Sequence, residues 1–210
     1  VLKCFDHKLG LYVSIKLYNA IDLGYASAHA EISTLHSLLQ KDYRLISHLP
    51  LILDAFIYNS QIHLVTHLPH ISLSQWMQLN SHYTPSLPVI RRIVSQILFP
   101  IAYLHSHDLV HNEIKLSNVL FTHPHAPDIQ LVDYGLVSPR FSRTPSILLY
   151  PPYQPPEILL GAQAIDFPSD VWAIGCVALE LYLGYPIFSK LPPFSPLSPD
   201  QDQLRLLCAL

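Results

Sequence analysis

The amino-acid sequence predicts an α+β fold with two lobes, a small one rich in strands and a larger helical one. Before about residue 67 the apolar residues mostly alternate as in strands, and one segment has helical spacing. After residue 69 the chain changes to long helical segments and proline-rich loops. Half of the residues are hydrophobic, which indicates a folded core rather than disorder. We expect residues 1–68 to form the small lobe with its connection, and residues 69–210 the larger lobe.

The small lobe is predicted to contain three strands and one helix. The strands are expected at residues 11–17, 52–57 and 61–66, and the helix at residues 27–39. Asn59 and Ser60 stand between the second and third strands and predict the turn of a hairpin. Glu31 falls within the predicted helix.

The larger lobe is predicted to contain two long helices and two short strands. The helices are expected at residues 86–105 and 169–183, and the strands at residues 119–121 and 129–132. Pro100 falls inside the first helix, where we expect a tolerated kink. Ser169 is expected to cap the second helix. Two proline-rich loops are expected at residues 145–156 and 192–199.

Charge and cysteine content exclude several classes of partner and compartment. The formal net charge of −3 gives no reason to expect nucleic acid or an anionic membrane as a partner. Cys4, Cys176 and Cys208 are widely spaced and form no disulfide framework, which favours a reducing compartment. The apolar stretch at residues 171–188 is interrupted by Glu180 and predicts a core helix, not a membrane span. We expect an intracellular chain, in the cytoplasm or the nucleus, without a signal peptide.

Six short motifs follow one another along the chain. They are Val13-Ser-Ile-Lys16, the helix residue Glu31, His111-Asn-Glu-Ile-Lys-Leu-Ser-Asn118, Asp133-Tyr-Gly135, Pro155-Pro-Glu157 and Ser169-Asp-Val-Trp-Ala-Ile-Gly-Cys176. Each one alone has an ordinary explanation, because a strand lysine or a helix glutamate is usually a solvated surface residue. Together, in this order and over most of the chain, they resemble the eukaryotic protein kinase domain.

The resemblance implies that the chain uses ATP and Mg²⁺ and phosphorylates a protein hydroxyl. By the match of motifs, Lys16 holds the α- and β-phosphates and pairs with Glu31. Lys115 neutralises the γ-phosphate, and Asn118 and Asp133 are the Mg²⁺ ligands. The expected partners are a protein substrate or a regulatory protein.

The resemblance also implies a binding site for the adenine base between the two lobes. Val1 is expected to pack against adenine, Thr66 to be a small gatekeeper residue, and the backbone of Leu68 to hydrogen-bond the base. The helix that begins at Ser169 is similar to that of the group containing the cyclin-dependent, mitogen-activated, dual-specificity tyrosine-regulated and homeodomain-interacting kinases. The short step of fifteen residues from Lys16 to Glu31 resembles the last two branches and also the SR-protein kinase branch.

Several positions depart from the family pattern. Glu113 stands where the family has its catalytic aspartate, and Gln154 replaces an arginine that this group uses to organise the activation segment. Ile147 stands where the activating tyrosine of this group usually lies, which leaves Thr144, Ser146 and Tyr150 as alternative phosphorylation sites. The glycine-rich loop and the last helices of the larger lobe are expected to be missing, so the kinase fold is expected to be incomplete at both ends.

Three functions therefore remain open at the level of sequence. The first is an active but impaired serine/threonine kinase, with Glu113 and Lys115 as its catalytic residues. The second is a pseudokinase that acts as a nucleotide-binding or partner-binding scaffold, and the third is a degenerate fragment. Metal binding by His63, His67 and His70, or by His123 and His125, is not expected because no cysteine or carboxylate has matching spacing.

Overall fold

The computed structural model describes residues 1–19, 22–41, 47–80, 84–124, 126–143, 151–188 and 199–208. These residues form a four-stranded sheet with one helix, followed by a mainly helical part. The predicted α+β fold with a β-rich lobe and a helical lobe is confirmed. The boundary between residues 68 and 69 stays a prediction.

Four antiparallel strands form the sheet in the order β1-β2-β4-β3. Their bounds are β1 Leu2–Asp6, β2 Leu11–Tyr18, β3 Ile52–Tyr58 and β4 Gln61–His67. The predicted strand and hairpin are confirmed, whereas β1 was not predicted. Its five residues include Lys3 and Asp6 and are partly or largely exposed, so they carry little apolar alternation. In β2 and β4, Ser14 lies opposite Thr66 and Lys16 opposite Leu64, which puts all four on one face of the sheet.

Helix α1, Asp22–Lys41, packs against that same face of the sheet. Ala28 of α1 forms a buried cluster with Tyr18, Ile62 and Leu64. The predicted helix at residues 27–39 is confirmed, and the structure extends it at both ends. Two further apolar residues of α1, Leu35 and Leu38, belong to the main core of the molecule.

The larger lobe is built around two packed helices, α3 and α5. Its elements are α2 Leu73–Leu79, α3 Leu87–His105, β5 Leu109–Val110, β6 Val119–Phe121, β7 Ile129–Leu131, β8 Ser138–Pro139, α4 Pro156–Leu159, α5 Phe167–Leu183 and α6 Pro199–Cys208. β5 pairs with β8 and β6 with β7, each antiparallel. Pro100 is buried within α3, which continues past it to His105 as predicted.

The start of α5 differs from the prediction. Asp166, not Ser169, is its N-cap, because the Asp166 carboxylate accepts a hydrogen bond from the N–H of Phe167 at 2.6 Å. Ser169 lies inside the first turn, where its hydroxyl donates to the Asp166 carbonyl at 2.5 Å. The helix therefore begins two residues earlier than predicted, with Pro168 in its first turn.

Within the described residues, α3 is the one helix whose length and hydropathy would allow it to cross a membrane. Its apolar stripe, however, is part of the core: Ile90, Ile93, Ile97, Ile101 and Leu104 are buried there. Arg91 and Arg92 lie on the exposed side, and Arg92 pairs with Asp128 at 2.6 Å. We interpret α3 as an amphipathic core helix.

Candidate active site

An ion pair joins the sheet to α1 at the centre of the site. Lys16 Nζ of β2 lies 2.6 Å from Glu31 Oε2 of α1. Register with β4 puts Lys16 on the inner face of the sheet, and Glu31 is almost completely buried on α1. The predicted pair of Lys16 and Glu31 is therefore present in the structure.

Lys16 also contacts the larger lobe. Its Nζ lies 2.6 Å from Asp133 Oδ1, so one ammonium group bridges two carboxylates. Burial alone would lower the pKa of Lys16, but the charges of Glu31 and Asp133 outweigh it and raise the pKa. The lysine is thus held in its charged form, which is the form that binds phosphate.

Two further groups fix the Glu31 carboxylate. The Tyr18 hydroxyl, two residues after Lys16 on β2, donates a hydrogen bond to Glu31 Oε2. The backbone N–H of Tyr134 donates to Glu31 Oε1 at 3.3 Å. Burial and the neighbouring Glu31 charge raise the pKa of Tyr18, so its hydroxyl keeps its proton. Sequence reasoning missed Tyr18, although strand alternation puts it on the same face as Lys16.

A buried carboxylate positions the loop that follows β5. Asp170 of α5 accepts hydrogen bonds from the N–H of His111 at 2.8 Å and from the N–H of Asn112 at 3.0 Å. The same carboxylate lies 2.8 Å from His105 Nε2. Asn112 has a left-handed backbone with φ of 70°, a conformation that asparagine tolerates better than most residues. The left-handed backbone at Asn112 and the hydrogen bonds to Asp170 together fix the position of the backbone that carries Glu113 and Lys115.

Asn112 also holds the start of the segment after Asp133-Tyr-Gly135. Its side-chain amide donates to the Leu136 carbonyl at 2.7 Å and lies 2.9 Å from Ser138 Oγ. Gly135 in that segment approaches α1 closely, and a Cβ there would overlap the Ser27 hydroxyl. Any larger residue at position 135 would require the Ser27 side chain to shift.

Glu113 and Lys115 form a contact with each other. Lys115 Nζ lies 2.5 Å from Glu113 Oε1, and both side chains are mostly buried. Burial and then the nearby Asp133 charge raise the pKa of Glu113, while Lys115 and Lys16 act in the opposite direction. A carboxylate here could accept a proton from an alcohol that approaches it, provided that it is released from Lys115.

Asn118 and Asp133 suit a hard divalent cation. The Asn118 Nδ2 group donates to the Glu113 carbonyl at 2.9 Å, which fixes the amide and leaves its oxygen as the group to coordinate a cation. Asp133 has a left-handed backbone with φ of 70° and supplies a carboxylate. Mg²⁺ prefers oxygen ligands and is commonly held by few protein groups together with substrate phosphates. Among the described residues, which do not include His125, no group of three His, Cys, Asp or Glu is placed to hold a metal ion.

A cavity of about 440 Å³ lies between the inner face of the sheet and the loops of the larger lobe. Six of the predicted site residues line it: Val1, Lys16, Glu31, Thr66, Asn118 and Asp133. Leu68 does not line it, whereas its neighbours His67 and Pro69 do. The predicted roles of these residues in binding a nucleotide stay predictions.

A smaller cavity of about 180 Å³ adjoins the first. Lys115, Tyr153 and Glu180 line it, and it shares Ser74 and Ser117 with the larger cavity. Glu113 lines neither of these two cavities. The structure therefore places Lys115 beside the larger cavity rather than on its wall.

The segment between residues 136 and 157 is described only at its two ends. Gln154 is buried, and its carbonyl accepts a hydrogen bond from Gln203 of α6 at 2.8 Å. Glu157 is exposed at the start of α4. The phosphorylation-site alternatives at Thr144, Ser146 and Tyr150, and Ile147 among them, lie outside the described residues.

Comparison with known families and proteins agrees with this geometry. The family model for the protein kinase domain matches residues 1–206. Human dual specificity protein kinase CLK1 is 29% identical over 206 residues, which cover 90% of this chain and 42% of that protein. The probable serine/threonine-protein kinase clkA of Dictyostelium discoideum is 28% identical over 222 residues, covering 90% of this chain and 24% of that protein. Human dual specificity tyrosine-phosphorylation-regulated kinase 3 is 26% identical over 210 residues, covering the whole chain and 34% of that protein.

The chain thus spans between 24% and 42% of the length of these three relatives. One of them is a dual-specificity tyrosine-regulated kinase, which is one of the branches that the short step from Lys16 to Glu31 resembles. With the family model matched over almost the entire sequence, this chain belongs to the protein kinase domain family.

Proposed function

We propose that the chain is a protein serine/threonine kinase domain that transfers the γ-phosphate of Mg-ATP to a protein hydroxyl, at a reduced rate. One observation carries the proposal: Lys16 Nζ lies 2.6 Å from both Glu31 and Asp133, on the wall of a cavity that Asn118 also lines. This arrangement joins a phosphate-binding cation to the groups suited to a metal ion, and family members use both ATP and Mg²⁺.

Each of the chain's own residues has a role in this reaction. Asp133 and Asn118 would hold Mg²⁺, which supplies charge neutralisation for the phosphates. Lys16, oriented by Glu31, binds the phosphates on the sheet side of the cavity. Lys115 neutralises the transferred group, and the Glu113 carboxylate accepts the proton of the attacking hydroxyl.

The rate is expected to be low because of Glu113. The carboxylate has the charge of aspartate, but its extra methylene displaces it, and it lies 2.5 Å from Lys115. A base that is displaced by about 1 Å can lose on the order of 10² in rate. Glu113 therefore weakens proton acceptance without removing the chemistry.

Partners and compartment follow from the same assignment. The reaction requires a protein substrate, and we expect no nucleic-acid or membrane partner. Cys4, Cys176 and Cys208 are free thiols, which supports the cytoplasm or the nucleus as the compartment.

The second candidate function is a pseudokinase that binds nucleotide or a protein partner without turnover. The contact between Glu113 and Lys115 favours the pseudokinase. While the two side chains bind each other, the Glu113 carboxylate is less able to accept a proton and the Lys115 ammonium less able to bind a phosphate. Gln154 also favours it, since a buried glutamine cannot form the ionic contacts of an arginine.

The test is phosphate transfer from radiolabelled Mg-ATP to a generic basic protein and to the chain itself. We expect slow transfer that Lys16→Met and Asp133→Asn each abolish. Lys8→Met is the matched control, because Lys8 is exposed in the turn between β1 and β2, does not line the cavity and should leave the rate unchanged. Absence of transfer by a folded chain that binds Mg-ATP would replace the kinase by the pseudokinase.

A further inference from the structure

We propose that Pro69 makes the base-binding wall of the cavity poor in hydrogen-bond donors, so that the site accepts guanine nucleotides about as well as adenine nucleotides. This inference rests on the proposed nucleotide-binding function and concerns the specificity of the same cavity.

The segment between β4 and α2 forms one wall of the cavity. β4 ends at His67 and α2 begins at Leu73, and both His67 and Pro69 line the cavity. This segment directly follows Thr66 in the chain, whereas Asp133 and Asn118, which would face phosphates, come from the larger lobe. A base with its phosphates near Lys16 is therefore expected to meet this backbone segment.

Backbone donors are scarce along this wall. Pro69 has no N–H. The N–H of His67 already donates to the Leu51 carbonyl at 3.3 Å, and that of His70 to the Phe121 carbonyl at 2.8 Å. The N–H of Leu68 belongs to a residue that does not line the cavity. Carbonyl oxygens are the backbone groups that remain for a base.

The side chains on this wall do not reverse that bias. The Thr66 hydroxyl can either donate or accept, so it imposes no preference between bases. Gln75 and Gln130 also line the cavity, but the Gln130 amide N–H donates to the Leu49 carbonyl, and the Gln75 amide oxygen accepts from the Ser72 N–H at 3.1 Å. Both amides are fixed in orientation, and the N–H donors that they keep belong to α2 and β7, not to the segment at Pro69.

The two purine bases differ in what they need from such a wall. Adenine presents an exocyclic amine donor beside a ring-nitrogen acceptor. A carbonyl and an N–H side by side therefore form the best pair of hydrogen bonds with it. Guanine presents a ring N–H and an exocyclic amine side by side, and carbonyl oxygens alone can satisfy both. A wall without an N–H at Pro69 therefore removes an advantage of adenine while leaving the contacts of guanine intact.

The experiment measures dissociation constants of Mg-ATP and Mg-GTP for the whole chain by titration calorimetry, with Pro69→Ala as the informative variant. We expect the wild-type constants to agree within about threefold. Pro69→Ala restores one N–H and should tighten ATP binding by about fivefold to tenfold, the usual effect of one hydrogen bond, with GTP unchanged or weaker. Pro88→Ala is the matched control, because Pro88 is exposed in the first turn of α3, does not line the cavity and should not alter the ratio.

Two results would overturn the inference and leave nucleotide binding intact. One is a wild-type preference for ATP above about thirtyfold. The other is a Pro69→Ala variant in which both constants move equally or neither moves. If a folded chain binds neither nucleotide, the proposed function fails and this inference fails with it.

Discussion

Glu113 differs from the aspartate of its family by one methylene, and the consequences are geometric before they are electrostatic. The extra carbon moves the carboxylate roughly 1.5 Å further from the backbone. A catalytic base must lie about 2.6–3.2 Å from the hydroxyl that it serves. In the structure Glu113 Oε1 lies 2.5 Å from Lys115 Nζ. The longer side chain therefore contacts a neighbouring residue instead of the position of a substrate hydroxyl.

We expect Glu113→Asp to raise kcat by about tenfold or more with ATP affinity nearly unchanged. A misplaced base can cost on the order of 10² in rate, or about 2.7 kcal/mol of barrier, and backbone adjustment recovers part of it. The measurement is kcat and KM for phosphorylation of a basic protein. Glu113→Gln is the control, since it keeps the size of the side chain and loses the base. Equal rates for Glu113→Asp and Glu113→Gln would contradict a role for this carboxylate as the base.

We expect Tyr18→Phe to destabilise the fold by about 1.5–3 kcal/mol, because it removes a hydrogen bond to a buried carboxylate. Glu31 keeps its contact with Lys16, so ATP binding should weaken by only a few fold. The measurement is the unfolding free energy in urea together with the ATP dissociation constant. Tyr12→Phe, on the exposed part of β2, is the matched control and should change neither quantity. A Tyr18→Phe variant as stable as its parent would show that the hydroxyl does not hold Glu31.

At this scale the sequence predicted residues whose type and order recur in motifs. Lys16, Glu31, Thr66, Asn118 and Asp133 all line one cavity. Tyr18 was missed because a strand tyrosine carries no motif, and its role depends on where α1 puts Glu31. The sequence also could not show which backbone N–H groups near Pro69 already donate hydrogen bonds. That information comes only from the folded backbone, in which the N–H groups of His67 and His70 are both used.

Helix α5 is the element that organises the larger lobe. Its first turn carries Asp170, which fixes the loop that follows β5. Asp166 caps the helix and pairs with Arg140 at 2.7 Å. The Arg140 contact lowers the pKa of Asp166, so the cap stays ionised over the neutral range. The start of this helix therefore affects both stability and the geometry of the loop.

We expect Asp166→Ala to cost about 1–2 kcal/mol of unfolding free energy, the usual cost of a lost N-cap. Ser169→Ala should cost clearly less, because Ser169 lies within the helix instead of capping it. Arg140→Ala isolates the ion pair, which is exposed to solvent and should cost less than the loss of the cap. Urea unfolding of the three variants ranks them. A larger loss for Ser169→Ala than for Asp166→Ala would restore Ser169 as the cap.

The buried carboxyl of Glu180 on α5 makes the stability of the fold depend on pH. Burial raises its pKa, while the Tyr153 hydroxyl that donates to it acts in the opposite direction. Because the folded state binds this proton more tightly than the unfolded chain, stability falls as pH rises from the unfolded pKa through the raised folded pKa. The ionised form at neutral pH therefore costs stability.

We expect Glu180→Gln, which mimics the protonated carboxyl, to melt about 2 °C or more above the parent at pH 7.5. That difference should shrink at pH 4.5, where a larger fraction of the parent is itself protonated at Glu180. Thermal melts at the two pH values measure it, and Glu157→Gln is the control because Glu157 is exposed on α4. A difference that is independent of pH would exclude titration of Glu180 as the cause.

The periodicity of apolar residues predicted the long helices and strands. The short helix α2 and the polar first half of α6 could be recognised only from other features. The alternation of β2 and the stripe of α3 are strong because each buries one face. α2 was missed even though Ser72 and Gln75 form a capping box that is visible in the sequence. α6 was missed because its residues are mostly polar, and its register depends on a tertiary contact, Gln203 to Gln154.

The cavity is lined by both parts of the molecule. A ligand can therefore make all of its contacts only when the sheet and the larger lobe are both folded. β2 and β4 contribute Lys16 and Thr66, and the larger lobe contributes Asn118 and Asp133. The division into two lobes was predicted from the change of period near residue 67. The direct contact of Lys16 with Asp133 was not, because it depends on how closely the lobes approach each other.

We expect saturating Mg-ATP to stabilise the whole chain, because a ligand that contacts both sides of the cavity binds only the folded state. At 100 times the dissociation constant the gain is about 2.7 kcal/mol. For a chain of this size that corresponds to a rise in Tm of roughly 5–10 °C. The measurement is a thermal melt with ATP alone, with Mg²⁺ alone and with both.

Asp133→Asn should lose the part of the shift that depends on Mg²⁺, because an amide oxygen binds the cation less strongly than a carboxylate. Lys8→Met, in the turn between β1 and β2 and not on the cavity wall, should retain the full shift. A folded chain whose Tm does not move in millimolar Mg-ATP would count decisively against nucleotide binding. Such a result would leave the partner-binding form of the pseudokinase, since that function alone does not require the cavity to be filled.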